Sequence, residues 1–274
     1  MHMKEKILKS FIYISTGLTV GILLWILGYI FIKGLGHISW GFLTTDQTSD
    51  YNGIFPIIVS TLYLVLLGVL VATPIGVFAA IYLTEYARQG RIVKIIRFAT
   101  ESLGAIPSIV FGLFGLIFFV VILKLQRSLV AGALTVTIMV LPTIIRATEE
   151  ALKSVPREYR EGSFALGASK FRTIFKVILP TAIPGILSAT ILTIGRIVGE
   201  SAAVFLTAGM VPRMPRGIFD PGRTLSVHMY ILASEGISFD EAYATAVVLV
   251  IIVLIVNITA NKVAKFLRKS RMAS

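Results

Sequence analysis

Two charges stand alone in a long uncharged stretch, TAIPGILSATILTIGRIVGESAAVFL: Arg196 and Glu200. In a continuous α-helix a spacing of four puts both on one face, and the helical rise places Arg196 roughly 22 Å beyond Pro180. An arginine deep in an apolar helix costs about 2.5 to 3.5 kcal/mol on insertion scales, so it must face a polar cavity or a partner. The planar guanidinium suits a tetrahedral oxyanion, which it can hold through two parallel hydrogen bonds. Glu200 would then compete for Arg196 once the anion leaves, and its carboxylate would accept a proton-bearing oxyanion while repelling a fully ionised one. The alternative role for the pair is a helix-locking salt bridge. Gly195, Gly199, Ser201, Ala202 and Ala203 surround it and permit close helix packing.

A second patterned stretch precedes this one, RATEEALKSVPREYREGSFALGASKFRTIFKVILP, residues 146–180. Ser154 and Pro156 make a helix start, and Gly167 makes a stop. A second helix is predicted from Ser169, with Phe171, Ile174, Phe175 and Ile178 as an apolar stripe. Two short helices about a glycine form a knob suited to a partner's groove; a helix lying on a bilayer has the same pattern.

The elements that position these residues are membrane spans. Of the 274 residues 56% are hydrophobic and 15% charged, and the mean hydropathy is +0.88, against a usual charged share of about 25% in soluble proteins. Uncharged runs predict six spans near 11–32, 54–84, 102–123, 128–145, 181–206 and 242–260 in a single domain. The first run is read as a retained span, not a cleaved signal. The second is too long for one perpendicular crossing, which implies tilt or an interfacial extension, with Pro56 and Pro74 marking its bends. Absence of cysteine excludes thiolate chemistry and disulfides. No phosphate-cradling glycine loop with its lysine is present, which argues against ATP hydrolysis by this chain.

The formal charge of +12 resolves into topology. With both termini inside, 19 of the 26 lysines and arginines fall on inner segments and 6 on outer loops, as the positive-inside rule requires. The excess charge therefore calls for no nucleic-acid partner. Between the last two spans, residues 209–239 carry Arg213, Arg216 and Arg223 among three prolines, a loop suited to an extracytoplasmic partner or to lipid headgroups. His37 and His228 read as ordinary surface histidines, and Asp240 and Glu241 as favourable charges at the start of the last span.

Glu161, Gly167, Leu179 and Pro180 fall at the spacing of the EAA motif of ABC importer permeases, with Gly162 and Ser163 in place of its two alanines. The stretch from Gly53 to Ala87, with Tyr82, Leu83, Glu85 and Tyr86, and the segments IPSIVFGLFG and GRIVGESAAV resemble phosphate permeases; the short amino-terminal tail and the carboxy-terminal region resemble their A-type subunit. Ser201 and Ala203 depart from the family's usual Thr and Pro. The resemblance implies an all-α, type I ABC importer fold with six transmembrane helices in a bacterial or archaeal inner membrane. It implies that 146–180 holds the coupling helix, with Glu161, Ala165 and Gly167 at the ATPase contact and Arg196 and Glu200 on the substrate path. It also implies a second homologous permease, two ATPase subunits and an extracytoplasmic phosphate-binding protein; no cofactor is expected, and with no cysteine and only lone loop histidines no metal is expected either. A molybdate or sulfate permease, or a self-sufficient anion carrier, are the alternatives.

Overall fold

The computed structural model describes residues 2–47 and 52–272, and among these the chain is helical, without a β-strand. In chain order the helices are α1 (His2–Gly34), α2 (Trp40–Thr44), α3 (Phe55–Ile81), α4 (Arg91–Gly104), α5 (Ser108–Gly115) and α6 (Leu129–Lys153). They continue as α7 (Arg157–Ala165), α8 (Lys170–Thr173), α9 (Leu179–Gly199), α10 (Ala202–Thr207), α11 (Leu225–Ser234) and α12 (Phe239–Met272). Wider π turns extend α3 through Tyr86 and α5 through Ile122, and join α8 to α9.

Among the described residues five helical stretches are long and apolar enough to cross a membrane, and α4 with α5 makes a sixth if that pair, bent by 100°, counts as one span. The second span is one helix from Phe55 to Tyr86, 32 residues, or roughly 48 Å at the helical rise. That length exceeds a hydrocarbon core of about 30 Å. Pro56 sits in its first turn, where a missing N–H leaves no bond unmade.

Three predicted boundaries move. The run near 102–123 is not one helix: α4 ends at Gly104 and α5 starts at Ser108, with Pro107 between them held in an extended conformation (φ −58°, ψ 141°). The fourth does not end near residue 145: the helix starts behind the Ser128 cap, whose Oγ accepts from the Ala131 N–H, and runs on to Lys153. Ile144, Thr148 and Leu152 stay buried at helical spacing, so packing carries the helix past its charged residues. The fifth span breaks at Glu200, as described below.

Helix α6 is the central member, packed against α3, α9, α5 and α10. Leu64, Val136, Val140, Ile197, Val204 and Val227 join in one core, and a second core at the end nearest α7 holds Ile81, Leu152, Val155, Ile174 and Ile178. Helix α1 packs mainly on α12, where Tyr29 meets Tyr243 edge to face. The side chains of 263–272, which carry most of the basic residues counted after Asn261, lie outside the described residues.

Candidate functional site

Helix α7 buries none of its residues and packs on α8 and the π turn that follows it. Its start differs from expectation in one detail: Pro156 precedes it, but the Ser154 hydroxyl donates back to the Ala151 carbonyl and caps nothing. Its end follows expectation. Gly167 takes φ +79°, a left-handed conformation costly for residues with a Cβ, and the Ala168 N–H then reaches the Ser163 carbonyl. Ser169 caps α8 by accepting from the Arg172 N–H. Ser163 and Thr173 share a hydroxyl hydrogen bond of 2.9 Å that ties α7 to α8, so the residue standing where the motif has alanine acquires a contact of its own.

Glu161, Ala165 and Gly167 are all exposed. Around them Tyr159, Phe164 and Phe171 are about half exposed or more, and Leu166 is 90% exposed. The predicted stripe of α8 therefore divides: Ile174 and Ile178 enter the core, whereas Phe171 stays outside, its ring tilted against that of Phe175 with centres 4.5 Å apart.

One side chain holds α7 in place, and sequence reasoning did not single it out. Arg160 donates to the Glu85 carboxylate at 2.8 Å and to the Val155 and Leu152 carbonyls at 2.9 Å each. It thereby joins α7 to the extension of α3 and to carbonyls at the end of α6, which a helix terminus leaves unpaired. Lys170 lies 5.0 Å from the centre of the Tyr86 ring, a cation–π contact.

The break in the fifth span changes the reading of Arg196 and Glu200. Helix α9 ends at Gly199, and Glu200 adopts φ −74°, ψ 122°. The two residues therefore do not share a helical face, and among the described residues no ion pair joins them. Glu200 Oε1 instead accepts from the Ala203 N–H at 3.1 Å, capping α10. Its carbonyl accepts from the Ser226 hydroxyl at 2.7 Å. The expected competition of Glu200 for Arg196 is thus replaced by two bonds that keep the helix broken. Both satisfy groups that a break exposes, which explains how it forms without the proline usual in the resembling family.

Arg196 occupies the last turn of α9, is exposed, and donates to Thr143 Oγ1 at 3.4 Å. A cation there also meets the negative end of the helix dipole. Thr143 lines a cavity of about 530 Å³ between α4, α6 and the end of α3. Within that wall Glu149, 5% exposed, accepts from Arg97 Nε at 3.1 Å and from Lys153 Nζ at 2.8 Å. Arg97 continues to Gln89, which holds the Leu83 carbonyl. The signal for Glu149 was available: Ile145, Thr148, Glu149 and Leu152 repeat at helical spacing, so a helix continued past residue 145 buries the glutamate.

The loop of residues 209–239 contains α11, packed on α12. Arg213 and Arg216 are exposed, but Arg223 turns inward, donating to the Met210 carbonyl at 2.6 Å and lying 3.2 Å from His228 Nδ1. His228, expected at the surface, is 2% exposed because α11 folds back into the core. Burial, reinforced by the Arg223 charge, pushes its imidazole down to about 3. His37 does lie at the surface, 3.7 Å from Asp240. Glu241 accepts from Asn52, while the Ser238 hydroxyl caps its N–H.

Residues 72–272 match the family model described as "Binding-protein-dependent transport system inner membrane component". The chain is 34% identical over 288 residues to the "Probable ABC transporter permease protein YqgI" of Bacillus subtilis, covering 98% of each. It is 31% identical to "Phosphate transport system permease protein PstA 1" of Mycobacterium tuberculosis, covering 94% of this chain and 88% of that one. Among solved structures, a bacterial alginate ABC transporter bound to its periplasmic protein has a chain that superposes with a TM-score of 0.71 at 16% identity, covering 97% of this chain and 98% of that one. A chain of the MetNI methionine ABC transporter superposes with 0.59 at 23% identity, covering 78% and 94%. These last two likenesses concern the fold, that of type I importer permeases.

Proposed function

This chain belongs to the inner-membrane components of binding-protein-dependent transport systems and is of the PstA type, and from that premise we propose that it is a permease subunit of an ATP-driven importer of inorganic phosphate. The observation that carries the coupling half is α7: a helix with no buried residue, fixed at its base by Arg160, presenting Glu161 and Leu166 outward. A helix so fixed passes a push from an ATPase to α3 and α6 without bending. The positive-inside count supports a cytoplasmic position for α7, α8 and both termini, which leaves Arg213 and Arg216 on the opposite side, towards an extracytoplasmic phosphate-binding protein. A second permease, two ATPase subunits and the bilayer complete the assembly, and hydrolysis belongs to the ATPases.

The choice of phosphate is supported by relatives named as phosphate permeases at about 31% identity over most of both chains and by Arg196. Among the described residues its one hydrogen bond is the long one to Thr143, which leaves most of the guanidinium's donors to turn to an oxyanion. The test is phosphate uptake by vesicles holding the assembled transporter, with ATPase association scored in parallel. Arg196→Gln abolishes uptake while the ATPase stays bound; Glu161→Lys releases the ATPase. Uptake that survives both substitutions, or proceeds without the ATPase, overturns the reading, and competition by unlabelled sulfate or molybdate tests the choice of anion.

A further inference from the structure

The 100° bend between α4 and α5 sets α4 nearly at right angles to the span that follows it. A helix at right angles to one that crosses the bilayer runs parallel to the membrane plane. Its sequence suits that position. Val93 is buried and Arg97 and Thr100 are half-buried, the face turned to α6 and the cavity. Ile92, Ile95, Ala99 and Leu103 repeat at spacings of three and four on another face, and Ile92 and Ile95 are 74% and 64% exposed. Phe98, 72% exposed, widens that apolar face, and Arg91 and Lys94, both exposed, lie along its edge.

An exposed apolar stripe flanked by cations on an in-plane helix is the pattern of an interfacial membrane anchor. We propose that α4 binds the lipid surface, with Ile92 and Ile95 seated at the boundary between headgroups and acyl chains and Arg91 and Lys94 engaging anionic phospholipid headgroups. The side chains beneath face the cavity, so the anchor also fixes one wall of that cavity to the leaflet. Charge complementarity decides the occupant: a stripe rimmed by cations matches an anionic leaflet, which attracts basic residues held near its surface. This inference goes beyond the transport reading and stands whichever anion is carried.

The chain has no cysteine, so Ile92→Cys, Ile95→Cys and Glu101→Cys each accept a single nitroxide label. The assembled transporter is reconstituted in phosphatidylcholine vesicles with and without phosphatidylglycerol, and label collisions with oxygen and with a water-soluble nickel chelate are compared. The expected result is a several-fold higher oxygen-to-nickel ratio at positions 92 and 95 than at 101. Depths there are about 5–10 Å, greater with phosphatidylglycerol, and the lipid dependence is lost in Arg91→Gln/Lys94→Gln. Labels at 92 and 95 shielded from both reagents mean that the second permease covers the stripe, and labels open to nickel mean that it faces water. Either outcome overturns the proposal, and equal depths in the two lipids overturn its electrostatic half. Two positions carry the test, so a failure of one variant to assemble leaves the other to decide it.

Discussion

The Arg160 guanidinium lies 2.8 Å from the Glu85 carboxylate, although 75 positions separate them in the chain, and the two side chains are 21% and 11% exposed. The pair joins α7 to the far end of the 32-residue apolar helical stretch from Phe55 to Tyr86. Arg160 also serves two carbonyls, so the partners do not contribute equally.

Arg160→Ala is therefore expected to destabilise more than Glu85→Ala, and Glu85→Gln least, since Gln keeps an acceptor. Breaking a well-buried pair costs roughly 3 to 5 kcal/mol, and the partial exposure here places Arg160→Ala towards the lower figure. Thermal unfolding of the purified chain in detergent gives the order, and protease cleavage at 157–165 reports release of α7. An Arg160→Ala variant as stable as the parent contradicts the assignment.

Gly112 permits the close approach of α5 to α10. A Cβ there would stand 2.8 Å from the Ala203 Cα, which is backbone and cannot rotate away. Gly112→Ala is expected to cost about 1 to 3 kcal/mol as overpacking and to displace α10 with its Glu200 cap. The measurement is the unfolding midpoint beside that of Gly36→Ala, where a Cβ meets nothing within 4 Å. Equal midpoints would refute the packing argument.

Because Glu200 caps α10 and does not pair with Arg196, Glu200→Ala should cost about 1 kcal/mol, and Glu200→Gln less. In a double-mutant cycle, Arg196→Gln and Glu200→Gln should then add within about 0.5 kcal/mol in stability. Coupling above that range would restore a direct ion pair.

His228 predicts a pH dependence. Its folded value is lowered from 6.5 to about 3, so between those values the unfolded chain binds a proton that the folded chain refuses, and stability rises with pH. The contribution is fully present above 6.5 and is lost as pH falls towards 3. Unfolding midpoints between pH 7.5 and 5 should fall in the parent and fall less in His228→Asn. Helix α11 lies outside the five stretches long enough to cross a membrane. Identical slopes in the two proteins would sink the prediction.

The sequence by itself determined the class of molecule and most of its spans, because hydrocarbon demands long uncharged helices whatever they pack against. It also determined the two short helices of 146–180, since Gly167 and Ser169 act on their own backbone and need no distant partner. The tertiary structure decided everything that depends on which face meets which neighbour. Composition could not show that Glu200 leaves its helix, because the groups that hold it there are Ala203, on the next helix, and Ser226, 26 residues on. Nor could it show that His228 is buried, since α11 is too short and too weakly patterned to announce a folded-back segment. Glu85 stands out in the sequence only as part of a resemblance, and nothing there pairs it with Arg160, while Glu149 lies beyond the end of its uncharged run. Local propensity acts along the chain, whereas burial and ion pairing act across it, and only the packed bundle brings those side chains within reach of one another.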